Sequence, residues 1–121
     1  MQKIKRLLLV EDDRTLGGLY MYLLQAEGYT VEWVMNCLLA KVKLSQTRYD
    51  LILLDVMLPD LSGIEFLSEP LLPISKTLVL TNLDHERAHQ QIRAYGIDKI
   101  LIKSDQTPET FLASVKNCLT T

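Results

Sequence analysis

Short apolar runs alternate along the chain with stretches in which apolar side chains recur every three or four positions. Runs of strand length, rich in apolar and β-forming residues, occupy residues 4–10, 30–35, 51–54, 77–80 and 99–102. Helical spacing is clearest between the first two runs, at Leu16, Leu19, Tyr20, Leu23 and Leu24. The pattern predicts five strands alternating with five helices, beginning with a strand.

Capping residues predict where several of these helices begin and end. Asp13, Asn36 and Asp84 have side chains that accept hydrogen bonds from exposed helix N–H groups, so each predicts a helix start. Gly28 and Gly96 predict the ends of the first and fourth helices, because glycine readily adopts the left-handed conformation found there. The apolar residues of the second helix predict a buried side that carries Leu39, Ala40 and either Val42 or Leu44.

The third and fifth helical segments differ in regularity. The third is interrupted by Pro59, Gly63, Pro70 and Pro73, which predicts a short or irregular helix. The fifth opens at residues 107–108 with a Thr-Pro pair, a favourable helix start. Its predicted apolar face carries Phe111, Leu112, Val115, Cys118 and Leu119.

Alternation of buried strands with helices indicates a parallel sheet. Neighbouring parallel strands need long crossovers, and right-handed crossovers place helices on both faces of the sheet. We therefore predict an α/β fold, a doubly wound five-stranded parallel sheet, in one domain over residues 1–121.

Composition narrows the classes of function. With 13 basic and 15 acidic residues the net charge is -2, which gives no broad positive field for nucleic acid or an anionic membrane. The first apolar run is too short for a signal peptide or a membrane span, so we expect a cytoplasmic protein. Cys37 and Cys118 fall in different predicted helices without metal-binding spacing, and we expect both to be reduced.

Polar side chains follow four of the predicted strands. Glu11 and Asp12 come after the first, Asp55 after the third, Thr81 after the fourth and Lys103 after the fifth. In open α/β sheets the ligand site lies beyond the carboxyl ends of the strands, so these side chains are the candidate site.

Three carboxylates at one edge of a sheet repel one another by roughly 4 kcal/mol per close pair. They therefore need a cation or raised pKa values, and an all-oxygen set with room for water or phosphate suits Mg²⁺. A carboxylate beside such an ion can act as a nucleophile toward a phosphoryl donor. Thr81 and Lys103 would offer a hydrogen bond and a positive charge to the phosphoryl oxygens.

The segments LLLVEDD, LILLDVMLPDLSG, LVLT and KILIK resemble, in order, those of bacterial response-regulator receiver domains. The resemblance implies a flavodoxin-like strand order, 2-1-3-4-5, and a phosphoryl group on Asp55. It also implies roles for the other site residues: Glu11 and Asp12 as metal ligands, the Met57 backbone carbonyl as a further ligand, Thr81 as the switch hydroxyl and Lys103 as the phosphate-binding amine.

The resemblance also implies partners. The phosphoryl group would come from a sensor histidine kinase or a phosphotransfer protein, and the signal would pass to an effector domain or protein. A homodimer would form through the last two helices and the strand between them. Catalysis would be limited to self-phosphorylation and autodephosphorylation, with no direct nucleic acid or membrane binding.

Three positions depart from the pattern of the family. Ile100 stands where an aromatic residue usually moves with the switch hydroxyl, Asn82 where a small residue is common, and Ser104 where a proline usually follows the lysine. The first two support an alternative hypothesis, a receiver-like scaffold that binds partners independently of phosphorylation. The intact acidic pair, Asp55 and Lys103 are the evidence against it.

Three further functions meet specific objections in the sequence. A haloacid-dehalogenase-type phosphohydrolase needs a second Asp where this chain has Met57, and an FMN carrier would place phosphate against the acidic turn after the first strand. His85 and His89 form an H-E-x-x-H pattern, but Ile92 and Tyr95 occupy the Gly and His positions of its common extension. We therefore do not expect zinc catalysis.

Overall fold

The protein is described by a computed structural model that covers residues 3–58, 63–83 and 86–120. The strands are β1 (Arg6–Val10), β2 (Thr30–Val34), β3 (Leu51–Asp55), β4 (Thr77–Thr81) and β5 (Lys99–Ile102). The helices are α1 (Arg14–Ala26), α2 (Cys37–Gln46), α3 (Gly63–Phe66), α4 (Glu86–Arg93) and α5 (Pro108–Leu119), with 3₁₀ turns at Ile74–Lys76 and Lys103–Asp105.

All strand pairs are parallel, and the sheet order is β2-β1-β3-β4-β5. This confirms the predicted doubly wound sheet and its flavodoxin-like order. The register places Val10 beside Leu54, Asp55 beside Leu80, and Thr81 beside Ile102. The carboxyl ends of four adjacent strands therefore lie along one edge.

Alternate strand residues point to opposite faces and form two apolar cores. Leu8, Val10, Ile52, Leu54 and Val79 face the side covered by α2, α3 and α4. Leu7, Leu9, Leu51, Leu53, Leu78 and Leu80 face the side covered by α1 and α5, where Tyr20 and Phe111 stack with ring centroids 4.5 Å apart. Because both faces are covered, the three central strands, β1, β3 and β4, are apolar at all of their interior positions.

Most predicted helix ends are confirmed. Asp13 and Asn36 accept hydrogen bonds from the N–H groups of residues three positions later, and Thr107 caps α5 in the same way. Gly28 and Gly96 have φ values of 92° and 95°, the left-handed conformation that ends a helix. The predicted cap Asp84 lies outside the described residues.

The predicted buried side of α2 is wrong in part. Leu39 and Val42 are 47% and 43% exposed, whereas Cys37 and Ala40 are buried and Leu44 packs against the core. Residues 37, 40 and 44 follow helical spacing from the Asn36 cap, and this stripe faces the sheet.

Two further boundaries differ from the prediction. β1 begins at Arg6 rather than at residue 4, because its pairing with β2 starts opposite Thr30; Ile4 is exposed. The fourth helix ends at Arg93, three residues before Gly96, the stop predicted from the sequence. The third helix is short in its described part, as predicted.

Among the described residues, no helix combines the length and the apolar character that a membrane span requires.

Candidate functional site

The five strand-end side chains predicted from the sequence meet at one edge of the sheet. Glu11, Asp12 and Asp55 each place one carboxylate oxygen within 4.8 Å of the others. Lys103 ion-pairs with two of these carboxylates from the far side of β4, and Thr81 ends the intervening strand. The parallel register brings the acidic cluster together, as predicted.

Lys103 connects the two buried carboxylates. Its Nζ lies 2.8 Å from Glu11 Oε1 and donates a hydrogen bond of 3.1 Å to Asp55 Oδ2. The lysine side chain is only 8% exposed. Burial by itself lowers the pKa of Lys103, but the hydrogen bond to Glu11 and the charges of both carboxylates outweigh burial and raise it. The amine is therefore held as an ammonium ion.

Glu11 is fully buried, and its environment favours a proton or a cation. Burial is the largest cause, and the adjoining Asp55 carboxyl adds to it; together they raise the pKa of Glu11 to about 7, although Lys103 opposes them. Oε2 accepts a hydrogen bond of 3.2 Å from the Asp13 N–H. Oε1 is buried, and its 2.8 Å ion pair with Lys103 leaves this oxygen able to accept a further contact.

This oxygen-only cluster fits a hard divalent cation. Two buried carboxylates, one exposed carboxylate and one ammonium leave excess negative charge, and Glu11 Oε1 retains free acceptor capacity. Oxygen ligands with access to solvent suit Mg²⁺, which keeps several of its waters. Asp12 provides that access because it is the exposed member of the cluster.

Asp55 is positioned by the turn that follows β3. Its side chain is almost fully buried, and Oδ1 accepts a hydrogen bond of 2.9 Å from the Met57 N–H. Gly63 donates its N–H to Val56 O at 2.9 Å, and a Cβ at this glycine would lie 2.2 Å from Val56 Cα. Only glycine permits this close approach of α3 to the acidic strand end. The role of the Met57 carbonyl as a ligand stays a prediction.

Thr81 and Asn82 shape the other side of the site. The buried Thr81 hydroxyl accepts a hydrogen bond of 2.9 Å from the Leu83 N–H, which leaves its own proton available to donate. Asn82 Oδ1 accepts a hydrogen bond of 3.1 Å from the Ser104 N–H. A proline at position 104 would have no N–H to donate. Asn82 and Ser104, two of the departures from the family pattern, are therefore joined by a bond that the usual proline could not make.

Sequence reasoning misses one contact that reaches the site. The size and apolar character of Trp33 predict a packing residue, and it does pack against the core beneath α1 and α5. Its indole N–H also donates a hydrogen bond of 2.8 Å to the backbone oxygen of Glu11. No spacing pattern predicts this bond, because it joins residues 22 positions apart.

The H-E-x-x-H pattern does not form a metal site in the described part of the chain. His89 Nε2–H donates to Leu83 O at 2.6 Å, and Glu86 pairs with Arg93 on the surface of α4. His85 lies outside the described residues. Across residues 3–58, 63–83 and 86–120 the one cluster able to hold a metal is the acidic cluster.

Residues 7–116 match the sequence profile of the response regulator receiver domain family. The chain belongs to this family. A receiver domain is a phosphoacceptor module of two-component signalling rather than a conventional enzyme.

Two sequence relatives illustrate the match. The receiver domain is 32% identical over 120 residues to the phosphate regulon transcriptional regulatory protein PhoB of Rhizobium meliloti, covering 96% of this chain and 52% of the relative. It is 50% identical over 66 residues to a CpxR homologue of Haemophilus influenzae, covering 54% of this chain and 29% of the relative. The chain thus spans about half the length of the first relative.

Solved structures agree with this assignment. A CheY-like receiver domain protein from Methanospirillum hungatei superposes with a TM-score of 0.88 at 28% identity, covering 98% of this chain and 95% of that one. The chemotaxis response regulator CheY4 of Vibrio cholerae gives a TM-score of 0.86 at 27% identity, covering 97% and 100%.

The raised pKa of Glu11 predicts a pH dependence in the metal-free protein. Folding raises this pKa from 4.5 to about 7, so the folded state binds the proton more tightly than the unfolded state. The resulting stabilisation is complete below pH 4.5 and is lost as the pH rises through about 7. Urea unfolding in chelator should show the stability of the wild type falling relative to that of Glu11→Gln across this range.

A carboxylate outside the acidic cluster serves as the control. Glu65 is exposed on α3, and Glu65→Gln should follow the wild-type pH profile. Parallel profiles for wild type and Glu11→Gln would contradict the assignment.

Proposed function

We propose that this receiver domain accepts a phosphoryl group on Asp55 and holds Mg²⁺ on Glu11, Asp12 and Asp55. The observation that carries the proposal is the position of Lys103, whose buried ammonium reaches both Asp55 and Glu11 within the acidic cluster. Such a cation is required where phosphoryl oxygens accumulate charge.

Asp55 is the carboxylate best placed to react. Asp12 is exposed and Glu11 has a raised pKa, whereas Asp55 lies between the Met57 N–H and the Lys103 ammonium. An Asp55 oxygen forms a bond to phosphorus while the bond from phosphorus to the donor's leaving group breaks, and the leaving group departs with the electron pair. The product is an aspartyl phosphate.

Glu11, Asp12 and Asp55, with the Met57 carbonyl as a further oxygen ligand, would hold Mg²⁺, which would supply positive charge to the phosphoryl oxygens. Lys103 then pairs with the phosphoryl group, and the Thr81 hydroxyl donates its free proton to a phosphoryl oxygen. Hydrolysis of the aspartyl phosphate is the only turnover that we assign to the domain.

The names of the relatives support the partners that we propose. One relative, 32% identical over 105 residues, is the autoinducer 2 sensor kinase/phosphatase LuxQ of Vibrio vulnificus, and PhoB is a transcriptional regulatory protein. We therefore assign a histidine kinase or a phosphotransfer protein as donor and an effector domain or protein as recipient of the signal. The surface formed by α4, β5 and α5 would carry the output or a homodimer contact.

Asp55→Asn should abolish labelling by acetyl phosphate in the presence of Mg²⁺, because the amide is not a nucleophile for phosphorus. Intact mass and the site of acid-labile modification measure the result. Asp98→Asn, which changes an exposed aspartate away from the acidic cluster, should label as the wild type does. Undiminished label on Asp55→Asn would remove Asp55 as the phosphoacceptor.

Mg²⁺ should raise the thermal stability of the wild type, because it relieves carboxylate repulsion only in the folded state. At a hundredfold excess over Kd the gain is about 2.7 kcal/mol. The gain should largely vanish in Asp12→Ala and persist in Asp98→Ala. An equal gain in Asp12→Ala would place the ion elsewhere.

The switch should depend more on Thr81 than on Ile100. Ile100 packs against the core and has no hydroxyl or ring to exchange between two environments. We expect beryllofluoride to shift the NMR signals of residues 86–118, with Thr81→Ala reducing the response more than Ile100→Ala does. Absence of any shift at confirmed occupancy of Asp55 would instead support a scaffold that acts independently of phosphorylation.

A further inference from the structure

We infer that Trp33 is a positioning residue for the acidic site and acts through its hydrogen bond to the backbone carbonyl of Glu11. The inference rests on the proposed Mg²⁺ site and adds a residue outside it. Trp33 lies on β2, opposite Leu9 of β1, and its indole N–H reaches past the end of β1 to the Glu11 carbonyl at 2.8 Å.

Glu11 is held at both of its backbone groups by consecutive residues of β2. Its N–H donates to Val34 O at 3.0 Å, while its carbonyl accepts the hydrogen bond from Trp33. β2 and β3 lie on opposite sides of β1. The Glu11 backbone is therefore hydrogen-bonded to β2 on one side, while the Glu11 carboxylate faces Asp55 and Lys103 on the other. The indole bond thus fixes the peptide that joins Glu11 to Asp12.

The first turn of α1 is shaped to receive the indole. A Cβ on Gly17 would lie 2.0 Å from Cζ2 and 2.4 Å from Cε2 of Trp33, so the ring lies directly against the helix backbone. A glycine inside a helix costs about 1 kcal/mol relative to alanine. The neighbouring Gly18 has no atom near its Cβ position, so only Gly17 is needed for the ring.

The rest of the acidic turn is anchored on the same framework. Asp13 donates its N–H to Glu11 Oε2 at 3.2 Å and caps α1 by accepting the Leu16 N–H at 2.9 Å. Asp12 therefore lies between two anchored residues, and its exposed carboxylate stays near those of Glu11 and Asp55. Without the indole bond, the peptide between Glu11 and Asp12 could rotate and the mutually repelling carboxylates could separate.

Trp33→Phe should weaken Mg²⁺ binding about three- to tenfold, the loss expected for one hydrogen bond of ordinary net strength. Gly17→Ala should have a similar effect, because its methyl group displaces the ring. In chelator, both variants should speed amide hydrogen exchange at Glu11 and Asp13, whose N–H groups donate to Val34 O and Glu11 Oε2. The Gly18→Ala variant, whose methyl group enters open space, should match the wild type in both measurements.

Calorimetric Mg²⁺ titration and NMR exchange test the inference, with urea unfolding run alongside. A double variant, Gly17→Ala with Trp33→Phe, should bind Mg²⁺ no more weakly than Trp33→Phe alone, since a phenyl ring extends less far toward the helix. Lower stability with unchanged Mg²⁺ affinity and unchanged exchange would overturn the positioning role and reduce Trp33 to a core residue.

The two proposals fail in different ways. If the wild type binds Mg²⁺ through Asp12 but Trp33→Phe and Gly17→Ala bind it equally well, the positioning role fails and the proposed site stands. If the wild type binds no Mg²⁺ while amide hydrogen exchange still rises in both variants, the proposed metal site is wrong and the role of Trp33 in ordering the acidic turn is retained. Should Trp33→Phe not fold, Gly17→Ala carries the same comparison.

Discussion

The site depends on one buried ammonium ion between two buried carboxylates. Glu11 and Asp55 would repel each other by roughly 4 kcal/mol if both were ionised in close contact. Lys103 offsets that repulsion from a side chain that is itself 8% exposed. It does not neutralise the cluster, because Asp12 adds a third carboxylate at the surface. The residual negative charge is what suits the site to the divalent cation that we propose.

The order of the sheet makes this contact feasible. Lys103 follows β5 and Asp55 ends β3, so the lysine must cross the end of β4 to reach its partner. Adjacent strands are about 4.8 Å apart, and a long side chain can bridge the span of two strands. The intervening strand, β4, ends in Thr81, a small buried residue whose hydroxyl retains a proton to donate. The strand order and the length of the lysine side chain therefore allow Lys103 to reach Asp55 at this edge of the sheet.

Sequence patterns predict the strand ends well, because an apolar run that stops marks the edge of a buried sheet. They predict the face of α2 poorly. Positions 37, 38, 39, 40, 42 and 44 are all apolar, so periodicity does not define one side, and only packing from the Asn36 cap selects residues 37, 40 and 44. Contacts such as Trp33 with Glu11 and Asn82 with Ser104 join distant segments, and a local pattern carries no information about them.

The two sides of the site are held by different kinds of contact. On the β1 side, both backbone groups of Glu11 are hydrogen-bonded to β2, one to a backbone carbonyl and one to the Trp33 indole, and the turn ends in a capped helix. On the β4 side, three hydrogen bonds to side chains hold the described part of the loop after Thr81: from the Leu83 N–H to Thr81, from His89 to the Leu83 carbonyl, and from the Ser104 N–H to Asn82, the last of which is exposed. A hydrogen bond of this kind contributes about 1 kcal/mol, which new contacts to a phosphoryl group can outweigh. Because a ligand shifts an equilibrium only by its differential contacts, we expect rearrangement to fall on the β4 and β5 side while the acidic turn stays in place.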